Sequence, residues 1–231
     1  MKKGPIYDGQ LSLFGHKTVC GFGDDDLYVR EMDRDLANHL IRTNHYSGKV
    51  YNATYIHLGV YIKGELQGVL QYGYAMNPNS MASVVANTKI DEYLELNRMW
   101  IADDVGEYVE SRSIAYSIKY IKMAYPKVKW IQSFADERCG GYGVVYQACS
   151  FDYFGEHTSD FWELDGVVYH NIQMTVGKDT KRYTGDAAFL QENKDRAVKM
   201  KLRQFRYIKF IKGNTKKDCL LEQQEYPKHY L

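Results

Sequence analysis

Asp136 follows a short apolar run, Lys129 to Phe134, and precedes a turn carrying Gly140, Gly141 and Gly143. A carboxylate at the carboxyl end of a buried strand sits where ligands of α/β sheets collect, and there it can accept a proton or a hydrogen bond from an amine. The same residue can equally cap the next helix. Glu137 and Arg138, its neighbours, are ready ion-pair partners. Far upstream, His45 and Tyr46 stand side by side, a pair suited to acid–base work, base stacking or a share of a metal site, and equally to a solvated or capping histidine. His16, His39, His57, His157, His170 and His229 have no better context. Arg98 interrupts the apolar ELNRMWI, where an unpaired charge is costly, so it calls for a ligand or a buried carboxylate. Ser111, Arg112 and Ser113 open a helical pattern whose free N–H groups can hold a phosphate or simply be capped by serine.

The elements that position these residues follow from periodicity and turn chemistry. Residues 1 to 24, rich in glycine with few periodic apolar positions, read as an irregular lead-in. Leu27 to Met32 reads as a strand, and Asp33 as the N-cap of a helix with the apolar stripe Leu36, Leu40 and Ile41, ending near Asn44. His45 and Tyr46 then fall in a loop. Ala53 to Val60 and Leu66 to Ala75, joined at Lys63-Gly64, form a hairpin. After the loop 77 to 89, Leu94 to Ile101 is a central strand, and Ile114, Ile118 and Ile121 mark one buried face of a helix that ends before Pro126. Strand, helix and strand in that order imply a parallel crossover. Val144 to Ala148 is a small helical segment in which Tyr146 is expected to point off the packed face, and Trp162 to Gln173 is a second hairpin. A helix from about Ala187 to Arg203 and the alternating strand FRYIKFIK complete the chain. The expected division is a lead-in 1–24, a catalytic domain 25–180 and a basic C-terminal extension 181–231 packed on it.

A chain of 231 residues, 45% hydrophobic and 26% charged, is long enough to bury a core. Its four cysteines lack the spacing of a zinc or redox motif and read as reduced thiols. No apolar run is long enough to span a bilayer, so no membrane partner is expected and a cytoplasmic location is. The net charge of +1 conceals an asymmetry: Lys194 to Lys217 holds ten Lys and Arg against Asp195 alone, a charge of +9 that leaves −8 for the rest. With Phe205, Tyr207 and Phe210 interleaved, this segment suits phosphate contact and base stacking on DNA, with Arg203, Arg206, Lys209 and Lys212 as the contacts. Reversing Arg203, Arg206 and Lys209 is expected to weaken duplex binding and leave the fold intact. The alternative is that FRYIKFI adds a strand to the main sheet with alternate residues buried, and then only one set of cations faces outward.

The segment VVYQACSF, a helix bearing a tyrosine and closing on a small residue and phenylalanine, resembles the second half of GNAT-type acyltransferases. More closely, Leu94 to Phe154 is similar to the Mom family of phage DNA-modification proteins. ELNRMWI, ESRSI, SFADERCGGYGVVYQACSF and the upstream NHYSGK carry that resemblance, with FRYIKFIKG and YPK as weaker support. It implies an α/β fold, a GNAT-like mixed sheet flanked by helices with a basic C-terminal helix-strand extension. It also implies an enzyme that converts adenine in double-stranded DNA to N6-(carbamoylmethyl)adenine and so protects it from host restriction.

By the same resemblance Asp136 is favoured over its neighbours for contact with the amine, and Tyr146 takes the place of the tyrosine that GNAT enzymes hold near the donor's sulfur. An acyl-coenzyme A-like donor and iron are each compatible with the family chemistry, and a homodimer with its assembly. The turn before Ser111 departs from the acetyltransferase pattern: Asp103, Asp104, Glu107 and Glu110 surround a single Gly106 where a pyrophosphate wants glycines and cations. Two other readings stand beside this one: an acyltransferase acting on a small amine or protein, and a non-catalytic DNA-binding protein on the same fold.

Overall fold

The computed structural model describes residues 2–11, 17–139, 141–181 and 183–228; His16, Gly140 and His229 lie outside them. The chain builds one ten-stranded mixed sheet with helices on both faces, the α/β architecture expected. In chain order its elements are β1 (Gly4–Leu11), β2 (Lys17–Gly23), β3 (Leu27–Glu31), α1 (Arg34–Asn44), β4 (Thr54–Ile62), β5 (Glu65–Gly73), β6 (Tyr93–Ile101), α2 (Val109–Ala124), β7 (Trp130–Asp136), α3 (Val144–Ala148), β8 (Asp152–Leu164), β9 (Val167–His170), α4 (Asn171–Thr175), α5 (Gly185–Glu192) and β10 (Val198–Phe210). In space the strands run β1-β2-β3-β4-β5-β6-β7-β10-β8-β9.

Local chemistry explains the elements that hold the site. The Asp33 carboxylate accepts the N–H groups of Asp35 and Leu36 and starts α1, whose Ala37 and Ile41 pack on Val69 and Trp100. Lys63 and Gly64 both take positive φ, 50° and 90°, the pair a two-residue hairpin needs between β4 and β5. β6 and β7 are parallel, joined by α2, and Ile114, Ile118 and Ile121 press with Leu94, Leu96 and Ile131 into the main core. Their backbones pair only at Tyr93–Trp130, Leu94–Ile131 and Glu95–Gln132, and beyond that point no register joins them.

Three expectations are corrected. Residues 4–11 and 17–23 are not an irregular lead-in but an antiparallel hairpin paired to β3. Its signal was weak because β1 is a sheet edge with Tyr7 exposed, and Gly21 and Gly23 abut the neighbouring strand so closely that a Cβ would collide with it. The helix expected over 187–203 stops at Glu192, and Val198 to Arg203 is already strand. Cross-strand pairing with β8 outweighs the helical charge pattern there. Finally, the C-terminal strand is not laid on a finished domain: β10 runs between β7 and β8, antiparallel to both, with Phe205, Tyr207 and Ile208 fully buried.

Candidate active site

One face of the five neighbouring strands β6, β7, β10, β8 and β9 makes the floor of a cleft of about 610 Å³. The two-residue period of a strand puts Gln132, Phe134 and Asp136 of β7, Gln204 and Arg206 of β10, and His157, Ser159 and Phe161 of β8 on this face. On β6 strict alternation would send Arg98 the other way from Glu95. Tyr72 pairs with Leu96 and Gln71 with Arg98, so Asn97 is an extra residue, a bulge that turns Glu95, Asn97 and Arg98 all toward the cleft. The loop after α1, residues 46–51, and the loop 75–81 form the walls on one side.

At one end Asp136 is buried and held by four hydrogen bonds from Arg138: the backbone N–H at 3.0 Å, Nε at 3.0 and 3.1 Å to the two oxygens, and Nη2 at 2.6 Å. Burial alone would raise its pKa, but the Arg138 bonds and charge and a bond from Tyr46 hold the carboxyl below its usual 3.8. The Tyr46 hydroxyl donates to Asp136 Oδ2 at 3.3 Å. Burial and that neighbouring carboxylate push the phenol well above the ordinary tyrosine range. His45 stacks on Tyr46 at 4.2 Å between ring centroids, and its Nδ1 accepts the Ser47 N–H at 3.1 Å, which leaves the ring proton on Nε2. Burial and the charges of Arg98 and Arg138 push it down to about 4, so His45 is neutral at pH 7.

Among the described residues Arg98, which lines the cleft, forms no ion pair with a carboxylate. Its Nε donates to Lys49 O at 2.9 Å and its Nη1 to Asn97 O at 2.7 Å, so backbone carbonyls take the place of the expected acid and the guanidinium ties the 45–51 loop to the sheet. The cleft walls pair rings with cations: Arg138 lies over Tyr46 and Phe161 at 5.2 and 5.0 Å, and Arg206 over Phe134 at 4.9 Å. His157 and His170 stand edge-on to Phe134 and Phe161. Burial lowers both histidines, with Arg206 and Arg138 respectively adding to it, so they enter as neutral rings. At the other end Glu95 accepts Gln132 Nε2 at 2.7 Å and Asn97 Nδ2 at 2.9 Å, and burial raises its carboxyl above the usual glutamate value. Glu95, Asn97, Gln132, His157 and His170 were missed by sequence reasoning; the bulge and the β7–β10–β8 order that assemble them leave no local signature.

The remaining candidates lie elsewhere. Tyr146 does not point off the packed face: α3 turns it into the core beside Phe151 and Tyr207, away from the cleft lining. Burial, offset in part by a hydrogen bond with Ser133, pushes it up to about 12. Gly143, at φ 82° and with Tyr207 where a Cβ would stand, permits this close approach. Ser111 bonds back to Tyr108 O, Arg112 leans on Asp24 at 3.7 Å, and Ser113 is fully buried. With the acids of residues 103–110 beside them, these three do not fit a pyrophosphate. Of the cations in the basic segment, only Arg206 lines the cleft. Arg203 chelates Glu137 at 2.9 and 3.0 Å and nears Glu156, Lys209 caps α3 through the carbonyls of Cys149 and Ser150, and Lys212 binds Pro126 O. Among the described residues no group of three or more His, Cys, Asp or Glu is placed to hold an ion, and the Arg98 and Arg138 guanidiniums beside Tyr46 repel a cation there. No helix among the described residues is long and apolar enough to cross a membrane.

Solved structures align over most of the chain at low identity. NAA60 of Arabidopsis thaliana in complex with acetyl-CoA has 8% identity and a TM-score of 0.49, covering 80% of this chain and 99% of that one. A ribosomal-protein-S5-alanine acetyltransferase of Vibrio fischeri has 12% identity and a TM-score of 0.47, covering 82% and 96%. In sequence, the methylcarbamoylase Mom of Escherichia phage Mu is 46% identical over 225 residues, 96% of this chain and 89% of that protein. The family model of the Mom protein family matches residues 26–228. By both measures the chain belongs to the Mom protein family.

Proposed function

We propose that the cleft is the active site of a phage-type DNA-modifying transferase that places a carbamoylmethyl group on N6 of adenine and thereby protects the DNA from restriction. The adenine amine is a poor nucleophile because its lone pair is delocalised into the ring, and inside a duplex it is out of reach, so the base must leave the stack. The observation that carries the reading is Asp136: a buried carboxylate, kept ionised by Arg138, at the edge of a cleft walled by aromatic rings and guanidiniums. A planar base fits between such faces by stacking and cation–π attraction.

A carboxylate is too weak a base to strip a proton from a neutral aromatic amine outright, so Asp136 accepts a hydrogen bond from N6–H. As the N–C bond forms, the bond from the transferred carbon to its donor breaks and the donor group leaves with that electron pair. The N6 proton, made acidic by the new bond, passes to the carboxylate. Tyr46, a donor at Oδ2, and neutral His45 orient that carboxylate and the base beside it. Nucleoside mass spectrometry of DNA from cells expressing the protein tests the reading. A carbamoylmethyl adduct on adenine supports it; acylated protein or metabolite, or no product, favours the acyltransferase or the non-catalytic binder instead.

A further inference from the structure

The end of the cleft away from Asp136 has a polar construction that the chemistry at Asp136 does not use. It lies where β6 and β7 stop pairing, at the register pair Glu95–Gln132. The Glu95 oxygens accept the two amides, Asn97 Nδ2 and Gln132 Nε2. Gln132 Oε1 in turn accepts Arg206 Nη1 at 3.2 Å. Arg206 has burial working against its charge, and Glu95 is its nearest electrostatic support. Asn97 is the bulge residue, its Nδ2 also donates to Tyr74 O at 3.2 Å, and its Oδ1 is buried with no hydrogen-bond partner among the described residues. An orphaned buried acceptor is costly, and a fold tolerates it where a ligand supplies the missing donor.

We propose that Glu95, Asn97 and Arg206 form a subsite for a neutral primary amide, the carbamoyl end of the group that the enzyme transfers. This rests on the function proposed above. An amide presents one acceptor and two N–H donors on one plane. Its carbonyl oxygen meets the Arg206 guanidinium, and its N–H groups meet Asn97 Oδ1 and a free lone pair of Glu95. Two amide donors and the charges of Arg206 and Arg98 oppose the burial that raises Glu95. With that carboxylate ionised beside one guanidinium, the subsite suits a dipolar amide and disfavours an anionic carboxylate held against Glu95. Phe134 lies between this subsite and Asp136 on the same face of β7, so an adenine with N6 over that ring turns its remaining N6–H toward Asp136 and its new substituent along the strand toward Glu95. The amide thereby selects the group to be transferred, and Asp136 serves the nitrogen that receives it.

Titration of the whole protein with four nucleosides tests this: deoxyadenosine and its N6-carbamoylmethyl, N6-carboxymethyl and N6-ethyl derivatives, read by calorimetry or tyrosine fluorescence. The wild type should bind the carbamoylmethyl form about tenfold or more tightly than the ethyl form, the scale of one or two hydrogen bonds to a buried site. It should bind the carboxymethyl form more weakly than the carbamoylmethyl. In Asn97→Leu, which removes the orphan without leaving a void, and in Arg206→Gln, that preference should fall toward unity. Thermal melts of both variants check that the fold is kept, and either variant alone suffices. Equal affinity of the wild type for the carbamoylmethyl and ethyl forms overturns the subsite, as does a preference that survives in a folded variant, while an adenine adduct in DNA would still leave the proposed function standing. Failure of every nucleoside to bind, together with no adenine adduct in DNA, overturns the function and the subsite with it.

Discussion

At Asp136 burial and pairing pull in opposite directions, and pairing wins because Arg138, two residues on, meets both carboxylate oxygens and gives its backbone N–H as well. Above the unfolded carboxylate's pKa near 3.8 that pairing contributes its full stability, and the contribution is lost as pH falls through the lower folded value. Arg138→Met leaves only the backbone N–H of residue 138 and the Tyr46 bond against burial, the largest cause acting on Asp136, so the folded pKa should rise and the acid limb of the modification rate should move to higher pH. A rate–pH profile of the variant checks this; an unmoved limb would show that Asp136 does not set it. The positions of His45, Tyr46 and Asp136 were legible in the sequence because each stands at the end of a recognisable element, but only the family resemblance favoured Asp136 over Glu137 and Arg138. Arg98 was legible as an anomaly but not in its partners, since backbone carbonyls brought from residue 49 have no signature in side-chain type. Tyr146 shows the reverse: its helix was placed correctly, but a five-residue helix has no reliable outer face, and the neighbours that bury it, Phe151 and Tyr207, come from the next turn and from β10.

Among the elements, β10 does most to unite the molecule. It pairs with β7 along Gln204 to Phe210 and with β8 along most of its length, and its Phe205 and Tyr207 enter the main core. Ending the chain at residue 197 therefore exposes two strand edges and leaves a core void, and the truncated protein should lose its cooperative thermal transition. A removable appendage would leave the melt unchanged, and circular dichroism separates the two outcomes. The central strands, α1, α2 and the crossover were readable because burial on two faces and a single-faced helix stripe each impose a period on the sequence. The insertion of β10 was not, because strand order is set by pairing between residues more than sixty positions apart, which local patterning does not encode.

Across the whole molecule, the basic segment proves less of a bare polycation than its +9 suggests. Arg196, Lys199, Arg203 and Lys216 pair with Asp165, Asp160, Glu137 and Asp152, so the acidic remainder folds back onto the basic end. Lys194, Lys201 and Lys217 are exposed and form no ion pair among the described residues. Reversing these three to Glu should flatten the dependence of log affinity for duplex DNA on log salt, by about one unit for each phosphate that the protein no longer neutralises. An unchanged slope would place DNA on another surface. Arg203→Glu, by contrast, sets a third carboxylate beside Glu137 and Glu156 and should lower the melting temperature, so the expectation that reversal there spares the fold no longer stands. The central claim is that the chemistry is done in the cleft at Asp136, and quantifying modified adenine in DNA from cells expressing wild type or Asp136→Asn tests it most directly. The swap keeps the shape and removes the charge, so the adduct should fall by about 10²-fold or more with duplex binding and a folded protein retained. Asp136→Asn that modifies adenine at the wild-type rate would contradict it.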